Sequence, residues 1–282
     1  IKDTDFIIGQ PDLDATIVER SKKLKAVFNV EGNFLPNIDY GACKHKGIRI
    51  LTPSSVFAVP VAELAIGMMI SLARGIHTGH GDFLIGKELY GLEGNTESEL
   101  ISGTEVGFIG FGDLGKAIYT LIQGFKPTVR VFDPWLTSSY LLKEGVVPAN
   151  LDEVLSKSRF IFVVASITEK NINMLNSEKF DLMQSGASLL ILNRAAIVDF
   201  DALAKYTSEK KIRVATDVFP EEPLSQGHPI RSSPNVLLSA HRAGAINSAL
   251  LEMGDYVLED LTLMEQGLPP LNCKRAEQKQ LT

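Results

Sequence analysis

Between Glu105 and His241, short apolar runs alternate with segments whose apolar residues recur at helical spacing. The run entering Gly110 and those at Val129 to Phe132, Phe160 to Val164, Ser188 to Leu192, Ile212 to Thr216 and Val236 to Ser239 predict strands. Lys116 to Gln123, Leu151 to Ser156, Ser177 to Met183 and Phe200 to Glu209 predict the helices between them. The strands are continuously apolar, as they must be when crossover helices cover both faces of a parallel sheet. A doubly wound α/β sheet is expected. Ahead of it, Phe6 to Ile8, Ala26 to Asn29 and Arg49 to Leu51 predict a shorter αβ segment, too little for a complete domain, whose missing partners are expected outside this chain. An amphipathic helix from Leu250 to Met264 can return to pack on that segment. The expected organisation is a smaller, discontinuous domain of residues 1–75 and 246–282, with the sheet domain of residues 76–245 inserted. Gly91 to Ser102 reads as a polar, mobile loop.

Composition narrows the class. The 282 residues are 45% hydrophobic and 22% charged, the balance of a globular chain. The apolar stretch Val59 to Ala73 is broken by Pro60 and Glu63 and reads as too short to cross a membrane, and no signal-peptide pattern opens the chain. A net charge of −6 without basic clusters argues against nucleic acid or anionic membrane as the main partner. Cys43 and Cys273 stand far apart, without metal-ligand spacing, which points to a reducing, cytoplasmic compartment and to no metal site.

The stretch Glu105-Val-Gly-Phe-Ile-Gly-Phe-Gly-Asp-Leu-Gly-Lys116 carries the first chemistry. Gly110 permits a tight turn, Gly112 lets backbone approach a pyrophosphate, and Gly115 lets the new helix pack on the strand. Asp113 and Leu114 then fall in a helix N-terminus that faces the phosphates. The next strand ends in Asp133, where a carboxylate receives ribose hydroxyls and repels a 2′-phosphate, favouring NAD over NADP. This is a Rossmann-type dinucleotide unit.

Three further segments end strands of the same sheet. Leu189-Leu-Ile-Leu-Asn-Arg-Ala-Ala-Ile-Val-Asp199 places Asn193 and Arg194 past one strand. Asp217-Val-Phe-Pro-Glu-Glu-Pro223 places carboxylates past the next, and Asn235-Val-Leu-Leu-Ser-Ala-His-Arg-Ala-Gly244 places His241 past the last. Ligands of open α/β sheets bind at these carboxyl ends.

In order and spacing these segments resemble the D-2-hydroxyacid dehydrogenase family, whose R-G-x-x-V-D, D-V-F-x-x-E-P and P-H-x-x-G motifs supply an Arg, a Glu and a His. Gly32-Asn-Phe-Leu-Pro-Asn-Ile-Asp39 is similar to the family's substrate loop, and Val61-Ala-Glu63 to the start of its interdomain helix. The resemblance covers nearly the whole chain. Ala195 and Ala196 stand where a glycine commonly follows the arginine, Ala240 replaces the proline before the histidine, and Phe34 replaces the second glycine of the substrate loop. It implies a Rossmann domain inserted in a flavodoxin-like substrate domain, acting as an oxidoreductase on a small D-2-hydroxy or 2-oxo acid with NAD as cofactor. Gly32, Asn33 and Arg194 would hold substrate. Asn193, Asp217 and Gly244 would join Gly110, Gly112, Asp113, Leu114, Gly115 and Asp133 around the cofactor, with Asp217 on the nicotinamide side.

The implied reaction moves hydride from C2 while a base takes the hydroxyl proton. Arg194 can hold a carboxylate through a planar fork, and His241 can exchange a proton near neutrality. Glu222 would hydrogen-bond His241, fix its tautomer and favour its protonated form, with Glu221 as the alternative should the register be off by one. The resemblance also implies a homodimer built on Val61 to Ala73, and a short form rather than an allosterically regulated phosphoglycerate dehydrogenase. Two alternatives stand beside it: a formate dehydrogenase, against which Glu222 argues, and an NAD-sensing corepressor of the same fold.

Overall fold

The structure, a computed structural model, describes residues 2–30, 37–209 and 211–276. The chain divides into two compact units, Ile1–Pro60 with Gly244–Thr282, and Val61–Ala243.

The smaller unit opens with β1 (Phe6–Gly9), α1 (Ala15–Arg20), β2 (Ala26–Asn29), α2 (Tyr40–His45) and β3 (Arg49–Thr52). The three strands pair in parallel with β2 in the middle, and all four residues of β2 are buried. Its two helices start where the Asp14 and Asp39 carboxylates accept the backbone N–H groups of Ile17 and Ala42.

Helix α3 (Ala58–Arg74) and α4 (Ile76–Leu84) follow. The expectation that this apolar stretch is too short to span a bilayer needs correcting. Joined to the turn before it, Ser54–Arg74 is long and apolar enough by length and composition, and half of that window is buried inside the structure. Val61, Ala62, Ala65, Met68, Met69, Leu72 and Ala73 all face inward, so the stripe serves as core packing here.

The larger unit continues with β4 (Glu105–Ile109), α5 (Asp113–Ile122), β5 (Thr128–Phe132), α6 (Ser138–Lys143), β6 (Val147–Pro148) and α7 (Leu151–Lys157). Then come β7 (Phe160–Val163), α8 (Ser177–Phe180), β8 (Ser188–Ile191), α9 (Phe200–Ser208), β9 (Arg213–Thr216) and β10 (Val236–Leu238). Among the described residues its sheet runs β10-β9-β8-β7-β4-β5-β6, parallel throughout. The doubly wound expectation is borne out. Strands β4, β5 and β6 build outward on one side, then the chain crosses back to lay β7 against the other edge of β4. The order reverses there, and two chain segments part at the carboxyl ends of β4 and β7.

Strands β7 and β8 are buried at every position, and Phe108 stacks on Phe162 with ring centroids 5.1 Å apart. Each such side chain contributes roughly 1.5–3 kcal/mol by leaving water. Helix α7, started by an Asn150–Glu153 capping box, crosses β4 closely: a Cβ on Gly107 would fall 2.6 Å from Ser158 Oγ and 2.7 Å from Val154 Cγ1. The polar segment expected as a mobile loop is anchored at one end. Its Glu99 carboxylate pairs with Arg159 and Arg213, and Arg213 also donates to the carbonyl of Leu72 at 3.0 Å.

Helix α10 (Asn247–Glu265) and β11 (Lys274–Arg275) complete the smaller unit, with β11 antiparallel to β3. Val257 and Met264 of α10 pack with Phe28 and Leu51.

Candidate functional site

Gly110 turns the chain at the end of β4 with φ 91°, and a Cβ there would collide with Ala165, 2.6 Å from its Cα. Only glycine fits. At Gly115 a Cβ would lie 3.0 Å from the Gly110 carbonyl oxygen, so the same close approach sets the start of α5 against the turn. Gly112 differs: it precedes α5 without a capping side chain, and a Cβ there would meet nothing within 4 Å. Asp113 and Leu114 form the first helical positions behind it. Open space thus lies before the positive end of a helix, where a diphosphate fits.

Asp133, beyond β5, ties that turn to its own. Its Oδ2 accepts the Phe111 N–H at 2.8 Å and its Oδ1 accepts the Trp135 N–H at 2.9 Å. A carboxylate has about four acceptor positions, so capacity for ribose hydroxyls is left. Turn, helix end and carboxylate together fit a dinucleotide.

At the end of β8, Asn193 donates through Nδ2 to the carbonyls of Val164 at 3.2 Å and Ala165 at 2.8 Å. This links the loops after β7 and β8. Arg194 is partly buried, and one guanidinium nitrogen donates to the Asn193 carbonyl at 3.0 Å. Burial pulls its pKa below the ordinary arginine value, and the charge of Glu222 acts against that. The Asp199 that closes this motif caps α9, accepting from the N–H groups of Asp201 and Ala202.

Beyond β9 and β10, Glu222 accepts at Oε1 from the Phe219 N–H at 3.0 Å, and its Oε2 lies 2.7 Å from His241 Nδ1. Glu221 does not make this contact; Glu222 does. Burial raises the Glu222 pKa, but the hydrogen bonds from His241 and Phe219 and the charges of His241 and Arg194 outweigh it, leaving the carboxyl below its ordinary value. An ionised carboxylate only accepts, so Nδ1 donates to it and Nε2 is the ring nitrogen turned away from this contact, on a side chain 51% exposed.

His241 has φ 49°, the left-handed region. Its N–H donates to the Asp217 carbonyl at 2.7 Å, and the Asp217 carboxylate accepts the N–H groups of Arg242 at 2.9 Å and Ala243 at 3.0 Å. Asp217 is 1% exposed, so in this structure the residue expected beside the nicotinamide is a buried clamp on the histidine turn.

Arg194, Asp217, Glu222 and His241 thus lie together in the larger unit, with Asn193 and the glycine turn at neighbouring strand ends. Gly244 belongs to the smaller unit, against Phe57, and Gly32 and Asn33 lie outside the described residues. Sequence reasoning missed the Phe219 N–H, the linking role of Asn193 and the left-handed histidine. A histidine following Ala240 carried no local signal of that backbone.

Residues 66–243 match the family described as D-isomer specific 2-hydroxyacid dehydrogenase, NAD binding domain. The chain is 28% identical over 270 residues to D-3-phosphoglycerate dehydrogenase of Archaeoglobus fulgidus, covering 94% of this chain and 50% of that protein. It therefore spans about half the length of that relative. It is 30% identical over 251 residues to hydroxypyruvate reductase of Thermotoga maritima, covering 88% of this chain and 79% of that protein. A crystal structure of a phosphoglycerate oxidoreductase from Rhizobium etli superposes with TM-score 0.90 at 48% identity, over 99% of this chain and 85% of that one. Glycine turn, carboxylate and strand-end cluster agree with these likenesses: the chain belongs to the D-isomer specific 2-hydroxyacid dehydrogenase family, and NAD is the cofactor of the domain it carries.

Proposed function

We propose that this protein is an oxidoreductase that interconverts a small D-2-hydroxy acid and its 2-oxo acid, with Arg194, Glu222 and His241 as its catalytic residues. The observation that carries the reading is the 2.7 Å contact between His241 Nδ1 and Glu222 Oε2, which leaves Nε2 as the proton acceptor. Bound NAD supplies the acceptor for the hydride on C2. Nε2 of His241 takes the hydroxyl proton in oxidation and returns it in reduction. Glu222 stabilises the imidazolium so formed and holds the ring's orientation. Arg194 binds the substrate carboxylate and polarises the carbonyl oxygen, and its partial burial strengthens both interactions. A panel of 2-oxo acids assayed with NADH tests this. Turnover of at least one supports it; intact NADH binding with no turnover across the panel contradicts it and favours an NAD-gated binding protein.

The smaller unit is read as the substrate domain. The assembly is read as a homodimer built on Val61 to Ala73, where Leu64, Ile66 and Ile70 are only partly buried, and on the segment that follows it. Helix α4 has no buried residue, and Phe83, Leu84, Ile85, Leu89, Tyr90 and Leu92 are all exposed, Leu92 at 85%. An arm that apolar, anchored at its far end through Glu99, suits a self-complementary two-fold interface. A reducing, cytoplasmic location is supported by the two free, buried cysteines. Burial, with Asp39 nearby, raises Cys43 to about 11; burial, with Asp260 nearby, raises Cys273 to about 12.

A further inference from the structure

We propose that Arg242 is a specificity-determining residue that takes a second carboxylate on the substrate, so that the preferred oxo acid is a dicarboxylic one. The inference rests on the roles of Arg194 and His241 given above and adds the chemical class of their substrate. From β4 to β10 and the turn beyond it, the other five arginines are each engaged with a carboxylate or a backbone carbonyl. Arg242 is exposed, and its guanidinium makes no hydrogen bond or ion pair among the described residues. Its backbone is nevertheless held. The Arg242 N–H donates to Asp217 Oδ1 at 2.9 Å, so the buried carboxylate that clamps the histidine turn also fixes where this cation starts. Neighbouring Cα atoms are about 3.8 Å apart, which sets a free positive charge beside the proton-transfer group.

The other charges of the site match without it. Arg194 meets the C1 carboxylate of the substrate, and Glu222 meets the imidazolium. Glu221, in the segment after β9, does not pair with Arg242 either. A surplus cation in a site for anions attracts a further anion, and two candidates exist: the diphosphate of the cofactor and a second acid group on the substrate. The sheet order decides between them. Strand β10 stands four places from β4, so the segment after it starts roughly 19 Å from the glycine turn, too far for one side chain to serve the diphosphate. Strand β8, which carries Arg194, is only two places from β10, roughly 10 Å. With C1 on Arg194 and the C2 oxygen at His241 Nε2, the substituent beyond C3 is the part of the substrate left for Arg242. A guanidinium fork meets a carboxylate charge for charge, whereas a phosphate carries about two charges near neutrality and would leave one unmatched here.

The test compares 2-oxoglutarate with 2-oxopentanoate, which has a methyl group in place of the second carboxylate, and with phosphohydroxypyruvate, which carries a phosphate. Wild type, Arg242→Gln and Arg242→Lys are assayed with saturating NADH. Wild type should favour 2-oxoglutarate over 2-oxopentanoate. In Arg242→Gln the ratio of their kcat/KM values should fall about tenfold or more, chiefly through the KM for 2-oxoglutarate, and Arg242→Lys should keep part of the preference. Because the side chain is exposed and the backbone N–H remains, both variants should melt with the wild type. A wild type that prefers 2-oxopentanoate, or a ratio within about twofold of wild type in Arg242→Gln, overturns the proposal while the roles of Arg194 and His241 stand. Equal losses for both acids overturn it too, since they place Arg242 behind His241 or the fold rather than on the substrate. A larger loss for phosphohydroxypyruvate than for 2-oxoglutarate overturns the assignment to a carboxylate. A wild type that binds NADH and turns over none of the three, nor any other 2-oxo acid, overturns the underlying reading as well.

Discussion

Asp217 holds His241 in a backbone conformation that a histidine rarely adopts. The carbonyl of Asp217 takes the His241 N–H, and its carboxylate takes the next two, so the left-handed turn at φ 49° is fixed from one buried residue. Such a conformation costs on the order of 1–3 kcal/mol and persists where its surroundings impose it.

Asp217→Asn should therefore both destabilise the fold and impair the site. The amide presents an NH2 group to one of the two backbone donors, leaving a buried N–H unmet at a cost of about 1–3 kcal/mol. Urea unfolding should show that loss, and kcat should fall with it as His241 leaves its position. Wild-type values for both would mean that the turn does not depend on this carboxylate.

Glu222→Gln should change the pH dependence of stability and lower turnover. The folded-state pKa of Glu222 is depressed, so its stabilising contribution is present above the ordinary carboxylate value of 4.5 and is lost as pH falls through the lower folded value. The stability difference between wild type and Glu222→Gln should thus be full near neutrality and shrink below that value. Turnover should fall as well, because Nδ1 loses the carboxylate that fixes the ring. A stability difference that does not vary with pH, together with wild-type turnover, would move the acidic role elsewhere.

The turn from β4 into α5 was legible because three glycines, a preceding strand and Asp133 constrain one another. The pairing of Glu222 with His241 was legible as a motif, and the structure resolves which of two adjacent carboxylates makes it. Asp217 was legible as a site residue but not as a clamp, since that depends on a backbone angle at His241, set by tertiary hydrogen bonds rather than local sequence. β6 and β11, two residues each, are too short to leave a periodic signal. The exposed apolar side chains of the arm after the most apolar helix were not legible, because only burial separates them from core residues.

Asp133 should set cofactor choice. NADH is expected to bind at least about tenfold more tightly than NADPH, a difference of about 1.4 kcal/mol. Asp133→Ala should narrow that gap and also weaken NADH, because the Phe111 and Trp135 N–H groups lose their acceptor. Calorimetric titration reads both, and equal or tighter NADPH binding by the wild type would contradict the role.

The exposed arm predicts assembly. Light scattering at micromolar concentration should give twice the chain mass, and Leu84→Glu combined with Leu92→Glu should give a monomer by placing charge in an apolar interface. A wild-type monomer, or a variant that stays dimeric, would remove the arm from the interface.

His241, oriented by Glu222, is the proposed proton-transfer group, and turnover of His241→Ala measured beside its NADH affinity decides the role. With the best substrate of the oxo-acid panel, kcat should fall by about two to four orders of magnitude while the dissociation constant for NADH changes little. Near-normal turnover in His241→Ala would mean that another group moves the proton.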